Sequence, residues 1–128
     1  MPWLTGKRIL VVEDEALISV MVTDMLSELG ILVVGPAATI SAAIILAERE
    51  TIDAAILDVN VRGERIDPVA EILFAREVPV LFATGYGEVK LASGRSAPVI
   101  DKPYTQEKLI RGLAAALGRP AQARHSAN

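Results

Sequence analysis

Short apolar runs alternate with longer amphipathic stretches along this chain, and the alternation restricts the possible folds more than any other feature. The clearest run is residues 54–60, where four apolar residues lead into Asp58 and an apolar residue follows it. A run without polar–apolar alternation is typical of a strand buried on both faces. The other predicted strands are residues 8–12, 31–34, 80–84 and 99–100.

Helices are predicted between and after these strands. Their predicted ranges are residues 16–29, about 40–50, 67–76 and 105–118. Thr39 or Ser41 can cap the second helix, Asp67 before Pro68 the third, and Thr105 the last. Residues 85–98 are rich in glycine, so the helix expected at about 88–95 is marginal.

The order strand, helix, repeated five times, predicts an α/β fold. Parallel strands joined by right-handed helical crossovers form a sheet covered by helices on both faces. Five strands favour the flavodoxin-like (βα)5 sandwich with strand order 2-1-3-4-5. In that order the carboxyl ends of the first and third strands are neighbours, and ligands bind at such an edge.

Composition narrows the class of protein. The chain has 128 residues, 52% of them hydrophobic, which predicts one ordered domain with a core at about 7–118 and a flexible tail at 119–128. It has no cysteine and a net charge of −3, which favours a reducing compartment and disfavours a nucleic-acid surface. Its apolar runs are too short for a membrane span, so a cytoplasmic location is expected.

Acidic and other polar residues follow the predicted strands. Glu13 and Asp14 end the first strand, Asp58 the third and Thr84 the fourth, while Lys102 follows the fifth. Carboxylates that converge on one edge repel each other unless a cation lies between them. Oxygen ligands of this kind favour Mg²⁺.

This set of residues suits phosphoryl transfer. Asp58 would be the attacking carboxylate, because aspartyl phosphates are a known class of covalent intermediate. Mg²⁺, the Lys102 ammonium and the Thr84 hydroxyl could each take one phosphoryl oxygen. Glu13 and Asp14 would hold the metal, with the backbone carbonyl of Asn60 as a further ligand. Each residue also has an ordinary structural explanation, such as a strand end, a helix N-terminus or a solvated surface.

The motifs at residues 9–15, 57–60, 84–85 and 102–103 together resemble the receiver domain of bacterial two-component response regulators. The resemblance implies phosphorylation of Asp58 by a sensor histidine kinase or a histidine phosphotransfer protein. It implies Mg²⁺ held by Glu13, Asp14 and Asn60, and a cis peptide between Lys102 and Pro103. It also implies a protein that catalyses only its own phosphorylation and dephosphorylation.

The chain departs from the usual receiver pattern in its switch residues. Val99 stands where the family has an aromatic residue, three positions before the lysine. The fourth strand instead resembles a variant subgroup with a Phe-Ala-Thr-Gly motif, in which Tyr86 is the obvious substitute for the missing aromatic. We therefore hypothesise that phosphorylation acts through Thr84 by ordering residues 85–98.

Two other functions are compatible with the fold class. A flavodoxin-like cofactor binder would need a phosphate-binding loop rich in Ser, Thr and Gly after the first strand, where this chain has acids. A phosphatase with an aspartate nucleophile would usually carry a second acid two residues later, where this chain has Asn60. Because little sequence follows the last helix, we expect signalling through protein binding, or a role as a phosphate sink.

Overall fold

The computed structural model describes residues 2–85, 89–102 and 104–118. The strands of its main sheet are β1 (Arg8–Val12), β2 (Leu32–Ala37), β3 (Ala54–Asp58), β6 (Val80–Thr84) and β7 (Val99–Asp101). Strands β4 (Asn60–Val61) and β5 (Glu64–Arg65) form a separate hairpin. The helices in the described residues are α1 (Ala16–Glu28), α2 (Ile40–Arg49), α3 (Asp67–Ala75) and α4 (Gln106–Ala116).

The main sheet is parallel and its order is β2-β1-β3-β6-β7. This confirms the predicted flavodoxin-like order, since β6 and β7 are the fourth and fifth predicted strands. In the register of the central pair, Ile9 lies opposite Ala54 and Val12 opposite Leu57. Strands β1 and β3 therefore end side by side, and the residues that follow them meet at one edge.

A hydrophobic core lies on each face of the sheet. Strand residues such as Leu10, Leu57 and Phe82 pack with helices α2 and α3, while Ile9 and Ile56 pack with α1 and α4. All five residues are at most 1% exposed, because alternate side chains of each central strand enter opposite cores. The predictions that residues 8–12 and the run ending at Asp58 form buried strands are confirmed.

The packed part of the chain begins before residue 7. Leu4 is completely buried in the core formed with α1 and α4. The amide of Gly6 donates to the carbonyl of Gly30 at 2.8 Å, which holds this N-terminal turn against the end of α1. The predicted start of the core was therefore too late, because a short segment outside any helix or strand has no periodicity to reveal the burial of Leu4.

Strand β2 is longer than predicted, because it continues through Gly35 and Pro36 to Ala37. The Gly35–Pro36 peptide is cis, and the register with β1 shifts between Leu10 and Val12. Proline is tolerated here because β2 is an edge strand and needs fewer hydrogen-bond donors. The pairing extends to the amide of Glu13, which donates to the carbonyl of Ala37 at 3.0 Å.

The segment after Asp58 contains the β4–β5 hairpin. Asn60 pairs with Arg65 and Val61 with Glu64. The two turn residues, Arg62 and Gly63, have φ angles of 52° and 80°. Two positive φ angles are typical of the turn that joins tight hairpins, but arginine is not a usual residue there, so the sequence carried only a weak signal.

Two of the predicted helix caps are confirmed. The side chain of Thr39 accepts a hydrogen bond from the amide of Ala42 at 3.1 Å, and that of Thr105 accepts one from Lys108 at 3.1 Å. The third was wrong, because Asp67 is the first residue of α3 and makes no cap. Its carboxylate instead binds residues outside the helix, as described below.

The connection between β6 and β7 contains no helix in its described part, residues 85 and 89–98. The amide of Gly94 donates to the carbonyl of Leu91 at 3.0 Å, and Gly94 has a φ angle of 82°. This single turn, ended by a glycine in the left-handed region, replaces the marginal helix expected near residues 88–95. None of the helices in the described residues has the length and apolar character needed to cross a lipid bilayer.

Helix α4 approaches the sheet most closely at Gly112. A Cβ atom there would lie 2.7 Å from a methyl group of Leu81 and 2.8 Å from one of Ile100. We expect Gly112→Ala to lower the free energy of unfolding by roughly 1–3 kcal/mol, although alanine is the better helix former. Urea denaturation would measure this, with the exposed neighbour Arg111→Ala as the control. Equal stability of the Gly112 variant and the wild type would contradict the close approach.

Candidate functional site

The carboxyl edge of the sheet carries a polar cleft of about 490 Å³. Residues from four strand ends and from the hairpin line it: Asp14, Glu15, Asp58, Val59, Asn60, Gly63, Thr84, Gly85 and Lys102. The parallel register accounts for this convergence, because each strand delivers its last residues to the same edge. The structure thus brings together the acids, the threonine and the lysine that the sequence placed at strand ends.

Three acids in the cleft form a cluster. One carboxylate oxygen from each of Glu13, Asp14 and Asp58 lies within 4.8 Å of the others. Glu13 is 1% exposed and Asp58 is 8% exposed, so water screens their repulsion poorly. Oxygen donors at these separations fit a hard divalent cation. The cluster could therefore bind a metal ion.

Lys102 bridges two of these acids. Its ammonium nitrogen lies 3.0 Å from Oδ2 of Asp58 and 3.0 Å from Oε1 of Glu13. Burial alone would lower the pKa of Lys102, but hydrogen bonds and charge attraction from Asp58 and Glu13 outweigh it and raise the pKa. The lysine is therefore a fixed positive charge beside the Asp58 carboxylate.

Glu13 is held on both of its oxygens. Oε2 accepts the amide of Glu15 at 3.1 Å, and Oε1 receives Lys102 and the hydroxyl of Tyr104 at 3.5 Å. Burial raises the pKa of Glu13 and the Asp58 charge raises it further, so Lys102 and the Glu15 amide compensate only in part. Burial raises the pKa of Tyr104, and the charges of Glu13 and Asp58 raise it further, so Tyr104 keeps its proton.

Asp14 is joined to the hairpin. Its Oδ2 accepts the amide of Arg62 at 2.9 Å, and the Arg62 guanidinium donates to the carbonyl of Ala38 at 3.1 Å. Asn60, the first residue of the hairpin, lines the same cleft. The sequence offered no signal for the role of Arg62, because the contact with Asp14 uses the backbone rather than the side chain.

The two predicted switch residues that the structure describes, Thr84 and Val99, lie at opposite ends of their strands. Thr84 is buried at the end of β6, lines the cleft, and accepts the amide of Lys102 on its carbonyl at 3.0 Å. Val99 pairs with Phe82 at the start of β7 and does not line the cleft. Tyr86 and the Lys102–Pro103 peptide bond lie outside the described residues.

Polar contacts attach the β6–β7 connection to the hairpin and to α3. The amide of Ala92 donates to Oδ2 of Asp67 at 3.0 Å, and Arg65 donates to the carbonyl of Lys90 at 2.8 Å. Arg65 and Asp67 also form an ion pair at 2.9 Å. Leu91 is buried in the core beneath them. We call Arg65 and Asp67 the tether, since together they hold the connection in place.

This fold with this site defines a class of protein, the receiver domain. No family model matches the sequence. The chain is nevertheless 31% identical to the receiver (REC) domain of the PhyR response regulator from Erythrobacter litoralis, with a TM-score of 0.76 over 91% of this chain and 93% of that one. It therefore belongs to the response-regulator receiver family, and the resemblance seen in its motifs is confirmed.

Two further relatives have higher sequence identity. SdrG from Sphingomonas melonis Fr1 is 45% identical, with a TM-score of 0.77 over 88% of this chain and 97% of that one. The transcriptional regulatory protein PdtaR of Mycobacterium tuberculosis is 34% identical over 119 residues. That match covers 88% of this chain and 58% of the length of PdtaR.

The bridge formed by Lys102 predicts a pH-dependent contribution to stability. In metal-free buffer near pH 7, we expect Lys102→Met to lower the free energy of unfolding by roughly 1–3 kcal/mol, because Glu13 and Asp58 lose their counter-charge. The folded-state pKa of Lys102 is raised, so its contribution is complete below the unfolded value of about 10.4 and is lost as the pH rises through the folded value.

Denaturant titrations at several pH values would measure the difference between wild type and variant. The difference should shrink at alkaline pH, whereas exchange of the exposed Lys90 for methionine should have little effect at any pH. A difference that stays constant up to about pH 11 would show that the ammonium charge is not the source of the stability.

Proposed function

We propose that this chain is a response regulator of two-component phosphorelay signalling that accepts a phosphoryl group on Asp58 from a phosphohistidine donor. The observation that carries the proposal is the surroundings of the Asp58 carboxylate. It lies 3.0 Å from the Lys102 ammonium and within 4.8 Å of oxygens of Glu13 and Asp14. A positive charge and a cation site on either side of one carboxylate match the needs of phosphoryl transfer.

Asp58 is the acceptor in this proposal. A carboxylate oxygen of Asp58 forms the new bond to phosphorus while the bond from phosphorus to the donor imidazole nitrogen breaks. The electron pair of that bond stays on the imidazole, which then takes a proton from solvent. The donor would be a sensor histidine kinase or a histidine phosphotransfer protein. The protein would catalyse only its own phosphorylation and dephosphorylation.

Mg²⁺ is the proposed cofactor. Glu13, Asp14 and the backbone carbonyl of Asn60 would hold it together with Asp58, some of them through water. When bound, the ion neutralises the charge of the phosphoryl oxygens. Three carboxylates cluster here, and the cleft-lining residues that the structure describes include no second lysine or arginine, which supports this assignment.

Lys102 and Thr84 would hold the transferred group. The Lys102 ammonium, already beside Asp58, would turn to one phosphoryl oxygen, and the Thr84 hydroxyl would donate to another. Both residues line the cleft, and the hydrogen bond from the Lys102 amide to the Thr84 carbonyl keeps their strands in register. The Lys102 ammonium is already 3.0 Å from the carboxylate that would carry the phosphoryl group.

The alternative functions lack comparable support. Glu15 and Asp14 line the cleft where a flavin phosphate would need neutral or positive donors. Asn60 occupies the position in which an aspartate-nucleophile phosphatase usually has its general acid. A receiver should therefore retain its phosphoryl group and should not turn over rapidly.

Acetyl phosphate with Mg²⁺ tests the assignment. We expect a stoichiometric, acid-stable and base-labile phosphoryl adduct on the intact protein, detected by mass spectrometry. Asp58→Asn should abolish it, because the amide cannot act as the nucleophile, and chelation of Mg²⁺ should prevent it. The control is Asp101→Asn, an exposed acid at the end of β7, which should leave the adduct unchanged. An adduct that persists in the Asp58 variant would refute the proposal.

The proposed output is a change in the β6–β7 connection, followed by altered binding of a protein partner. The connection begins directly after Thr84 and is not helical in its described part. The tether also reaches the hairpin, whose Arg62 amide contacts Asp14. A phosphoryl group on Asp58 would therefore act on the connection from both ends, through Thr84 and through the hairpin.

Loss of the tether should loosen the connection. Burial alone would raise the pKa of Asp67, but the Ala92 amide and the Arg65 guanidinium outweigh it and lower the pKa. The tether therefore persists above the unfolded value of about 3.9 and is lost as the pH falls through the lower folded value. At neutral pH, Asp67→Asn should speed hydrogen exchange of the Ala92 amide by roughly tenfold.

NMR would follow that amide and the backbone relaxation of the connection, with and without beryllium fluoride and Mg²⁺. The matched control is Glu64→Gln, an exposed acid of the same hairpin. Unchanged exchange in the Asp67 variant would remove the tether from the mechanism. Equal relaxation in the two ligand states would contradict ordering of the connection on phosphorylation.

A further inference from the structure

Tyr104 lies beneath the acidic cluster and has no part in the mechanism described so far. It follows β7 and is only 5% exposed, in the core formed with α1 and α4. Its hydroxyl donates to Oε1 of Glu13 at 3.5 Å, and its ring lies 5.9 Å from the Lys102 ammonium. One side chain therefore contacts both the proposed metal ligand and the lysine that bridges it to Asp58.

The contacts on Glu13 show why this placement matters. Its Oε1 atom receives two donors, Lys102 at 3.0 Å and the Tyr104 hydroxyl. Its other oxygen is occupied by the amide of Glu15. If Lys102 turns toward a phosphoryl group on Asp58, Oε1 loses its charged partner inside a buried site. A buried carboxylate that loses a donor is costly unless another donor remains.

We propose that Tyr104 is a positioning residue, whose hydroxyl holds Glu13 in place when Lys102 turns from Glu13 to the phosphoryl group. The inference rests on the proposed function, because it assigns a task only if Asp58 is phosphorylated. Its ring also forms a face on which the Lys102 ammonium can move without losing all favourable contact, since cations are attracted to aromatic faces within about 6 Å.

This role separates two binding events. Binding of Mg²⁺ alone leaves Lys102 free to stay on Glu13 and Asp58, so the Tyr104 hydroxyl contributes little. Binding of the phosphoryl mimic beryllium fluoride draws Lys102 away, and the hydroxyl then becomes the remaining side-chain donor on Oε1. A residue that only fills the core would affect both events equally, through the stability of the fold.

The test is Tyr104→Phe in the full chain, which removes one oxygen atom and keeps the ring. We expect the Kd of Mg²⁺ to change less than about twofold, and the affinity for beryllium fluoride at saturating Mg²⁺ to fall roughly fivefold. The rate of Asp58 phosphorylation by acetyl phosphate should fall by a similar factor. Ser19→Ala removes another buried hydroxyl, outside the cleft, and should change none of these values.

Each result decides the inference. Equal losses in both affinities, or no loss in either, would overturn the positioning role, and urea denaturation would show whether equal losses follow from a weakened fold. The wild-type protein tests the proposed function separately. If it is phosphorylated on Asp58 while the Tyr104 variant behaves identically, only the inference fails, whereas absence of any phosphorylation of the wild type overturns both.

Discussion

The Lys102 ammonium between Glu13 and Asp58 is the interaction on which the rest of the site depends. Three buried or half-buried carboxylates gathered at one edge would repel each other, because water screens buried charges poorly. One lysine at 3.0 Å from two of them offsets part of that repulsion. The residual negative charge would attract a cation, so the cluster could bind a metal ion.

The register of the sheet makes this arrangement possible. Strands β1 and β3 are adjacent although α1, β2 and α2 separate them along the chain. Their parallel pairing puts Glu13 and Asp58 one residue past equivalent positions, Val12 and Leu57. The pairing of Thr84 with Asp101 brings Lys102 to the same edge from the other side. The apolar strands thus position the charged residues, and the two cores hold those strands rigid.

Much of this could be predicted from the sequence, because the strands and their end residues carry strong local signals. The apolar runs, the acids that end them and the caps Thr39 and Thr105 all follow local rules of pattern and hydrogen bonding. The strand order followed from the alternation of elements. These signals are sufficient to predict that Asp58 and Lys102 meet at one edge of the sheet.

The remaining features depend on long-range contacts that leave little trace in a single sequence. Asp67 has the sequence context of a helix cap, but its carboxylate binds Ala92, 25 residues later. The β4–β5 turn needs a positive φ angle at Arg62, and an arginine in the sequence does not indicate such a conformation. The sequence carries no signal for the role of Tyr104, because only the folded chain shows that its hydroxyl faces Glu13.

Val99 replaces the aromatic residue that receiver domains usually have in the last strand, and the contacts around the cleft offer a substitute for it. In the usual receiver an aromatic residue of the last strand reports the state of the threonine, but here Val99 lies at the start of β7, away from the cleft. Two other routes join the cleft to the β6–β7 connection. The hairpin follows Asp58, contacts Asp14 through the Arg62 amide and reaches the connection through Arg65. Thr84 directly precedes the connection. Because the Arg62 amide already contacts Asp14, a proposed metal ligand, a change at that carboxylate would reach the hairpin without a mobile aromatic side chain. Under the proposed function, the coupling would therefore run through the hairpin and Thr84 rather than through an aromatic residue of the last strand.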